Sequence, residues 1–460
     1  MPSLLRLVES IMTLSAPASS AVSQEAFLKA ILPSSTRVAP HVPIPRNGVN
    51  YRRKVALAPM VRSGELPSRL LALHYGADLV WGPETVDRAM IGTTRKINPR
   101  TSCIEWTRSA SNVPMEKPGF KKENVLYRID PNLEKGKLIY QIGTSNPDLA
   151  VQAAKVVAAD VSGIDVNAGC PKSFSTSGGM GAALLRRPDL LASILRELVE
   201  KVGKIYEIGV SVKIRLLESP ELTESLVRKL CGTGITGLTV HCRTTSMRPR
   251  ESAIRDQLRM VGSVCREYGV ACLMNGDVKN RDEAIQLAAD YGVDGGMIAT
   301  AAESNSSAFR TAEQGGLIPW REVVEEYLKY AMSVENKWGN TKFLLVQLIP
   351  GKHACHKLVS MSKSHVECMK ILGFDSGDIV GRAIEADKVL GLDEPMPSKQ
   401  ERKQMRKQMK RALEETGAGG DPGAAQSENK QKHVLVENNK EETEYESLIY
   451  GKIESDFLQA

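Results

Sequence analysis

The sequence predicts an α/β fold, a (β/α)8 TIM barrel followed by a C-terminal all-helical domain and disordered tails. Three observations carry this expectation. Short apolar, β-branched runs alternate with longer amphipathic stretches from residue 54 onward, eight such alternations fill about 250 residues, and past residue 316 the pattern becomes helical only. Parallel strands joined by crossover helices produce the first pattern, and eight of them in that length match a closed barrel. An open doubly wound sheet would present a GxGxxG turn after its first strand, and the chain has none there.

The eight runs are Val55–Met60, Ala77–Trp81, Leu138–Ile142, Gly163–Asn167, Val210–Ile214, Leu238–His241, Ala271–Asn275 and Gly296–Ala299. Helices are expected between them at Leu66–Tyr75, Pro147–Ala158, Pro188–Val202, Glu221–Leu230, Ala253–Tyr268 and Arg281–Ala289. Each carries apolar residues three and four apart and ends near a glycine or small polar residue. A long insert, residues 83–137, follows the second run and is expected to hold a helix and a short hairpin. Further helices are expected at Arg321–Trp338, Thr341–Leu348, Ala354–Leu372 and Asp378–Leu390.

These patterns divide the chain into a flexible extension (1–45), a catalytic barrel (46–315), a helical domain (316–395) and a basic-then-acidic tail (396–460). The tail opens with Arg402, Lys403, Arg406, Lys407, Lys410 and Arg411. It then turns to Gly, Ala, Gln and Glu with few apolar residues, a composition that cannot bury enough surface to fold alone.

A hydrophobic fraction of 42% beside 25% charged residues is that of a globular protein, and no apolar run suits a membrane helix. The net charge of +7 and pI near 8.8 suit an acidic partner such as RNA, because basic surface releases counterions from phosphate. Eight cysteines in no CxxC pair point to a reduced compartment, the cytoplasm first and the nucleus second. Glu9 and Glu25 in the extension count against a mitochondrial transit peptide.

Barrel enzymes build their sites from the carboxyl ends of the strands. Gln141, Asn167, Lys213, His241 and Asn275 each sit inside or just past an apolar run at that end. A buried polar group costs a few kcal/mol unless paired, so five converging polar groups imply a ligand that pairs them. A single one would read as a satisfied core residue.

After the fourth run comes Asn167-Ala168-Gly169-Cys170-Pro171-Lys172. A cysteine between glycine and proline belongs to a loop, and an ordinary thiol stays protonated at pH 7, so Cys170 can act as an acid. The competing role is nucleophile, which needs a lowered pKa and a base, with His241 the barrel candidate. Asn275-Gly276-Asp277 and Ala299-Thr300-Ala301 end the seventh and eighth runs, where many barrels bind phosphate. His353, Cys355, His356, His365 and Cys368 cluster in sequence but match no common finger spacing, so no structural metal is expected.

Leu57-Ala58-Pro59-Met60-Val61, Gln141-Ile142-Gly143, Asp165 to Pro171, Val212-Lys213-Ile214-Arg215, His241-Cys242-Arg243-Thr244 and Asn275-Gly276-Asp277 together resemble the tRNA-dihydrouridine synthases, over roughly residues 45 to 375. The resemblance implies FMN in the barrel mouth, NADPH or NADH as reductant, and tRNA as substrate. It places Pro59, Met60 and Val61 near the isoalloxazine, gives Gln141 and Lys213 hydrogen bonds to the ring, and sets His241 close by. Asn275, Gly276, Asp277, Ala299 and Thr300 would hold the phosphate, and Cys170 matches the general acid. Glu84, Asn167, Lys172, Arg215 and Arg243 fall on the substrate side.

Two departures stand out. Thr300 occupies the place of an arginine usual in the family, leaving backbone amides, its hydroxyl and Arg243 for the phosphate. Animal relatives append a double-stranded RNA-binding domain, for which the 60 residues after position 400 are too few and too polar. Lys337, Lys342, Lys352, Lys357, Lys363 and Lys370 are then candidate phosphate contacts. The rival readings are an FMN barrel that reduces a small enone or pyrimidine, and an RNA-binding barrel without catalysis.

Overall fold

In the computed structural model, which describes residues 43–109, 123–248 and 250–393, each of the eight apolar runs supplies a strand. The described strands in chain order are β1 Lys54–Leu57, β2 Leu79–Trp81, β3 Thr85–Val86, β4 Thr94–Ile97, β5 Ile104–Ser109, β6 Glu123–Ile129, β7 Leu138–Gly143, β8 Gly163–Ala168, β9 Gly209–Arg215, β10 Gly237–His241, β11 Ala271–Asn275 and β12 Gly295–Ile298. Eight of them pair in the order β2-β1-β12-β11-β10-β9-β8-β7. Val80 opposite Leu138 and Trp81 opposite Ile139 close the ring, so every barrel strand has two parallel neighbours.

Because side chains alternate along a strand, one set of positions lines the interior. Ala56, Leu79, Trp81, Ile139, Ala271, Leu273 and Met297 form its apolar part. Tyr51 plugs the amino-terminal end, with its ring 2.9 Å from where a Cβ on Gly237 would stand, so a side chain at 237 would collide with it. Toward the carboxyl ends the same face turns polar. Gln141, Asp165 and Ser211 lie side by side across β7, β8 and β9, and Asn167, Lys213 and Thr239 follow one step higher.

The described helices of eight residues or more, with one shorter helix after β12, are α1 Leu66–His74, α2 Pro147–Val157, α3 Pro188–Leu198, α4 Pro220–Cys231, α5 Leu258–Glu267, α6 Arg281–Tyr291, α7 Thr300–Ser304, α8 Trp320–Ser333, α9 Trp338–Leu348, α10 Ala354–Met361, α11 His365–Leu372 and α12 Gly377–Leu390. Asn146, Ser219 and Asn280 cap α2, α4 and α6 by accepting first-turn N–H groups, and proline opens α2, α3 and α4. One apolar core runs from the barrel helices into the C-terminal ones, including Leu71 and Ala72 of α1 and Tyr327, Leu328, Leu344 and Leu345 of α8 and α9.

Four expected elements are corrected. The helix anticipated from Ala253 begins at Leu258, because the Ala253 and Ile254 N–H groups donate to Asp277 Oδ2 and the Cys242 carbonyl instead. The helix anticipated over Arg321–Trp338 stops at Ser333, where Glu335 takes φ +52° and the Asn336 amide turns to Thr341 Oγ1. The helix anticipated over Ala354–Leu372 is two helices, the second started by the Ser364 cap on the Glu367 N–H.

The insert is the fourth. It holds a one-turn helix, Asp87–Met90, and a three-stranded antiparallel sheet β4-β5-β6 where a hairpin was expected. The sheet is anchored by buried Trp106 and Tyr127, and beneath it Arg69 of α1 meets Glu134 at 2.6 Å, both side chains buried. The extension (1–45, for its first 42 residues) and the tail from 394 onward lie outside the described residues.

Candidate active site

The floor of the barrel mouth is a charged network. Asp165 on β8 is buried, accepting from Gln141 Nε2 at 2.8 Å and Ser211 Oγ at 2.7 Å. Burial pushes its carboxyl up to about 6, opposed by those hydrogen bonds and by Lys213. Lys213 on β9 is pulled the other way: burial, then the nearby Arg215, bring it down to about 8, with Asp165 opposing. At pH 7 the amine is mostly a cation held under the mouth.

His241, at the end of β10, is surrounded by cations. Burial first, then Lys213, Arg215 and Arg243, push it down to about 2. Its Nε2 lies 3.2 Å from Arg243 Nη1. A guanidinium only donates, so Nε2 accepts and the ring proton sits on Nδ1. This imidazole cannot take a proton from Cys170 near neutrality, which removes the base that the nucleophile reading required.

Arg243 is largely spent within the protein. It donates from Nη2 to Asp277 Oδ1 at 2.5 Å and from Nε to the Glu251 carbonyl at 2.6 Å. Asn275 donates from Nδ2 to the Met297 carbonyl at 2.9 Å, pinning β11 to β12. Gly276 takes φ +114°, and a Cβ there would stand 3.2 Å from both Ala253 Cβ and His241 Cδ2, so the turn needs glycine. Arg255 Nη2 holds the Gly276 and Asp277 carbonyls at 2.9 and 3.1 Å. Ala299 follows β12, and Thr300 is the exposed first residue of α7.

The thiol loop leaves β8. Asn167 Oδ1 accepts from Gly169 N at 3.0 Å and Cys170 N at 3.1 Å, a local turn that fixes the start of the loop. Arg215 ties the loop to its neighbour by donating to the Gly169 and Thr244 carbonyls, each at 2.8 Å. Burial, then the Glu84 carboxyl, push the half-buried Cys170 thiol above its ordinary value, while a backbone hydrogen bond from Lys172 and the charges of Arg215 and Lys172 oppose them. The Lys172 side chain is exposed beside it. Glu84, just past β2, is half-buried near the same loop with its Oε2 sealed from solvent, and desolvation raises its carboxyl to about 7 against Asn167 and Ser175.

On the β1 side, Gly64 N donates to the Met60 carbonyl at 2.8 Å and closes a tight turn from Met60 to Gly64, directly after Pro59, with Val61 exposed at the surface. Arg62 in that turn lies 4.4 Å over the Phe343 ring of α9. The five strand-end residues Gln141, Asn167, Lys213, His241 and Asn275 thus share the carboxyl end of one barrel. Exposed Lys337 and half-buried Lys342 donate to the Val125 and Ser362 carbonyls, and Lys352, Lys357, Lys363 and Lys370 are exposed. His353 sits beside Cys355, and His365 pairs with buried Asp387 at 2.8 Å. No group of three metal-ligating side chains gathers among the described residues.

Sequence reasoning passed over Asp165, Ser211 and Arg255. Asp165 carried a signal, a carboxylate in the middle of an apolar strand, which must be paired where it is buried. Arg255 carried none, because its role depends on the irregular loop that replaces the first turn of the expected helix.

A family model described as dihydrouridine synthase (Dus) matches residues 56–370. A Schizosaccharomyces pombe protein named tRNA-dihydrouridine(20) synthase [NAD(P)+] is 48% identical over 327 residues, 70% of this chain and 65% of that protein. A Saccharomyces cerevisiae protein of the same name is 44% identical over 331 residues, 70% of this chain and 84% of that one. The chain therefore spans just under two thirds of the length of the first. A second Saccharomyces cerevisiae protein, named tRNA-dihydrouridine(20a/20b) synthase [NAD(P)+], is 27% identical over 65% of this chain.

Proposed function

This chain belongs to the dihydrouridine synthase family, and we propose that it reduces the C5=C6 bond of a uridine in tRNA, at position 20 of the D loop, using NADPH or NADH and a resident FMN. The observation that carries the reading is Cys170: a half-buried thiol held protonated at the barrel mouth, on a loop fixed by Asn167 and Arg215.

The residues present fit the flavin. A half-buried ammonium at Lys213 and the free oxygen of the Gln141 amide offer donor and acceptor at the floor, and the bare Gly276 turn lets backbone stand close to the His241 end of the mouth. Lys213 and Gln141 would hold the ring system, Pro59 to Val61 would cover it, and Asn275 to Asp277 with Ala299 and Thr300 would hold the phosphate. FMN, when bound, supplies the hydride that adds to C6 of the base.

What the chain's own residues do follows from their charges. Hydride addition at C6 leaves an enolate across C4 and C5, which needs a proton at C5. Cys170 holds that proton on sulfur and delivers it, a positioned acid being worth about 100- to 10,000-fold. Lys213 stabilises negative charge that accumulates at the floor, in a setting where water does not screen it. His241 stays neutral, so it offers an Nδ1–H donor without taking part in proton transfer.

The uridine must leave its stack to reach the mouth, at a cost of about a few kcal/mol repaid by backbone contacts. Exposed Lys172, Lys352, Lys357, Lys363 and Lys370 are available for phosphates. The experiment is to incubate unmodified tRNA with the flavin-loaded protein and NADPH, digest it, and look for a nucleoside two mass units heavier than uridine. Its absence, with the protein yellow and reducible by NADPH, would favour a reductase of a small enone or pyrimidine. A colourless protein that binds tRNA would favour a non-catalytic RNA-binding barrel.

A further inference from the structure

Glu84 has a place in the fold that substrate contact alone does not explain. Its Oε1 accepts from Ser175 Oγ at 3.2 Å, and a Cβ on Gly143 would fall 2.4 Å from the same oxygen, so β7 has been kept bare to seat the carboxyl. The Asn167 amide is its other polar neighbour. Its Oε2 is buried and has no hydrogen-bond partner.

Asn167 and Ser175 are the two supports of the thiol loop. Asn167 Oδ1 accepts the Cys170 N–H at 3.1 Å. On the far side, a Cβ on Gly181 would stand 2.4 Å from Ser175 Oγ and 2.6 Å from the Cys170 carbonyl oxygen, so serine and the Cys170 peptide crowd one point. Glu84 touches the residue that holds the front of the loop and the residue packed behind it.

We propose that Glu84 is a positioning residue for Cys170: as a neutral carboxyl it braces Asn167 and Ser175, and its ionisation weakens the acid. The inference rests on the dihydrouridine reading above. A carboxyl raised to about 7 changes charge in the working pH range, and a buried anion beside a thiol makes the sulfur a poorer proton donor. The groups facing the thiol are Glu84, Lys172 on its own loop, and Arg215 and Lys213 from β9. The three cations favour release of the proton and ionised Glu84 opposes it. Lys213, down to about 8, begins to lose charge in the same region, so a neutral replacement of Glu84 is what isolates the effect of the carboxyl.

The test compares wild type with Glu84→Gln, which keeps the shape and cannot ionise. Reoxidation of NADPH-reduced protein by tRNA, followed by flavin absorbance from pH 6 to 7.5, should fall about fivefold in wild type and stay within about twofold in the variant. A flavin-free readout uses Cys170 as the one cysteine that is not buried. The pH midpoint of its alkylation by iodoacetamide, read by mass spectrometry, should drop by about one unit in Glu84→Gln.

A variant that keeps the wild-type fall, or an unmoved midpoint, overturns the proposal. Should Glu84→Gln misfold, Ser175→Ala serves: it removes a hydrogen bond that lowers Glu84, so the break must move to higher pH, and an unmoved or lower break overturns the idea. If tRNA fails to reoxidise wild type at all, the functional reading fails, while the alkylation midpoint still decides the role of Glu84.

Discussion

Replacing Cys170 with alanine separates the two chemistries a cysteine could perform here. The thiol sits above its ordinary value because burial and Glu84 outweigh the Lys172 backbone hydrogen bond and the charges of Arg215 and Lys172, so at pH 7 the population is almost wholly thiol. That population is useless to a nucleophile and ideal for an acid. Cys170→Ala should therefore bind FMN and be reduced by NADPH as wild type is, since neither step moves a proton through sulfur. Reoxidation by tRNA should slow by about 100- to 10,000-fold, the range for removal of a positioned acid. Cys170→Ser should recover little, a hydroxyl being a far weaker acid. Rapid mixing of reduced protein with tRNA, followed at the flavin band, measures both. In wild type the rate should fall through pH 7 as Glu84 ionises, since the thiol itself stays protonated there. A rate that climbs with pH as thiolate appears, or an alanine variant as fast as wild type, would refute the acid.

Lys213→Met should keep oxidised flavin but slow its reduction by NADPH about 100- to 1,000-fold, as expected when a preorganised charge is removed. With Lys213 down to about 8, wild-type reduction should decline above pH 8 as the amine loses its proton, and the variant should lack that decline. Glu134→Ala leaves the Arg69 guanidinium buried without its carboxylate and should cost about 3–5 kcal/mol in urea unfolding; a loss below 1 kcal/mol would show that water reaches the site. Thr300→Arg, at an exposed position one residue beyond Ala299, should leave flavin retention unchanged or tighten it, and a clear loss on gel filtration would show that the arginine's place is not available here.

The barrel was legible because each strand except its ends is buried on both faces, which forces continuous apolar runs such as Leu138-Ile139-Tyr140. The insert was not, because β4 is exposed at all four positions and offers no alternation to read. Its sheet depends on Trp106 and Tyr127 reaching the barrel, a contact no local pattern announces. The breaks in the C-terminal helices turn on single residues, Glu335 with its positive φ and the Ser364 cap, inside segments whose apolar spacing continues across them. The site divides the same way. Polar residues at strand ends declare themselves against apolar surroundings, whereas the support that Arg215, Ser175 and Arg255 give to loops comes from chain folded back on itself.

The make-up of the mouth suits a thiol as the proposed acid. Burial first, and then Lys213, Arg215 and Arg243, hold His241 down to about 2, so the imidazole, the usual proton carrier near neutrality, is disabled by its seat in the mouth and by the cations around it. Burial is what separates the candidates: it lowers a cationic acid such as His241 and raises a neutral one, so it favours a donor whose acid form is uncharged. Among the described groups at the loop after β8, Cys170 and Glu84 meet that condition, both raised by burial. Of the two, Cys170 stands on the loop at the mouth while Glu84 lies behind it against Gly143 and Ser175, so in the proposed reaction the thiol is the group placed to meet the base and the carboxyl the one placed to tune the thiol.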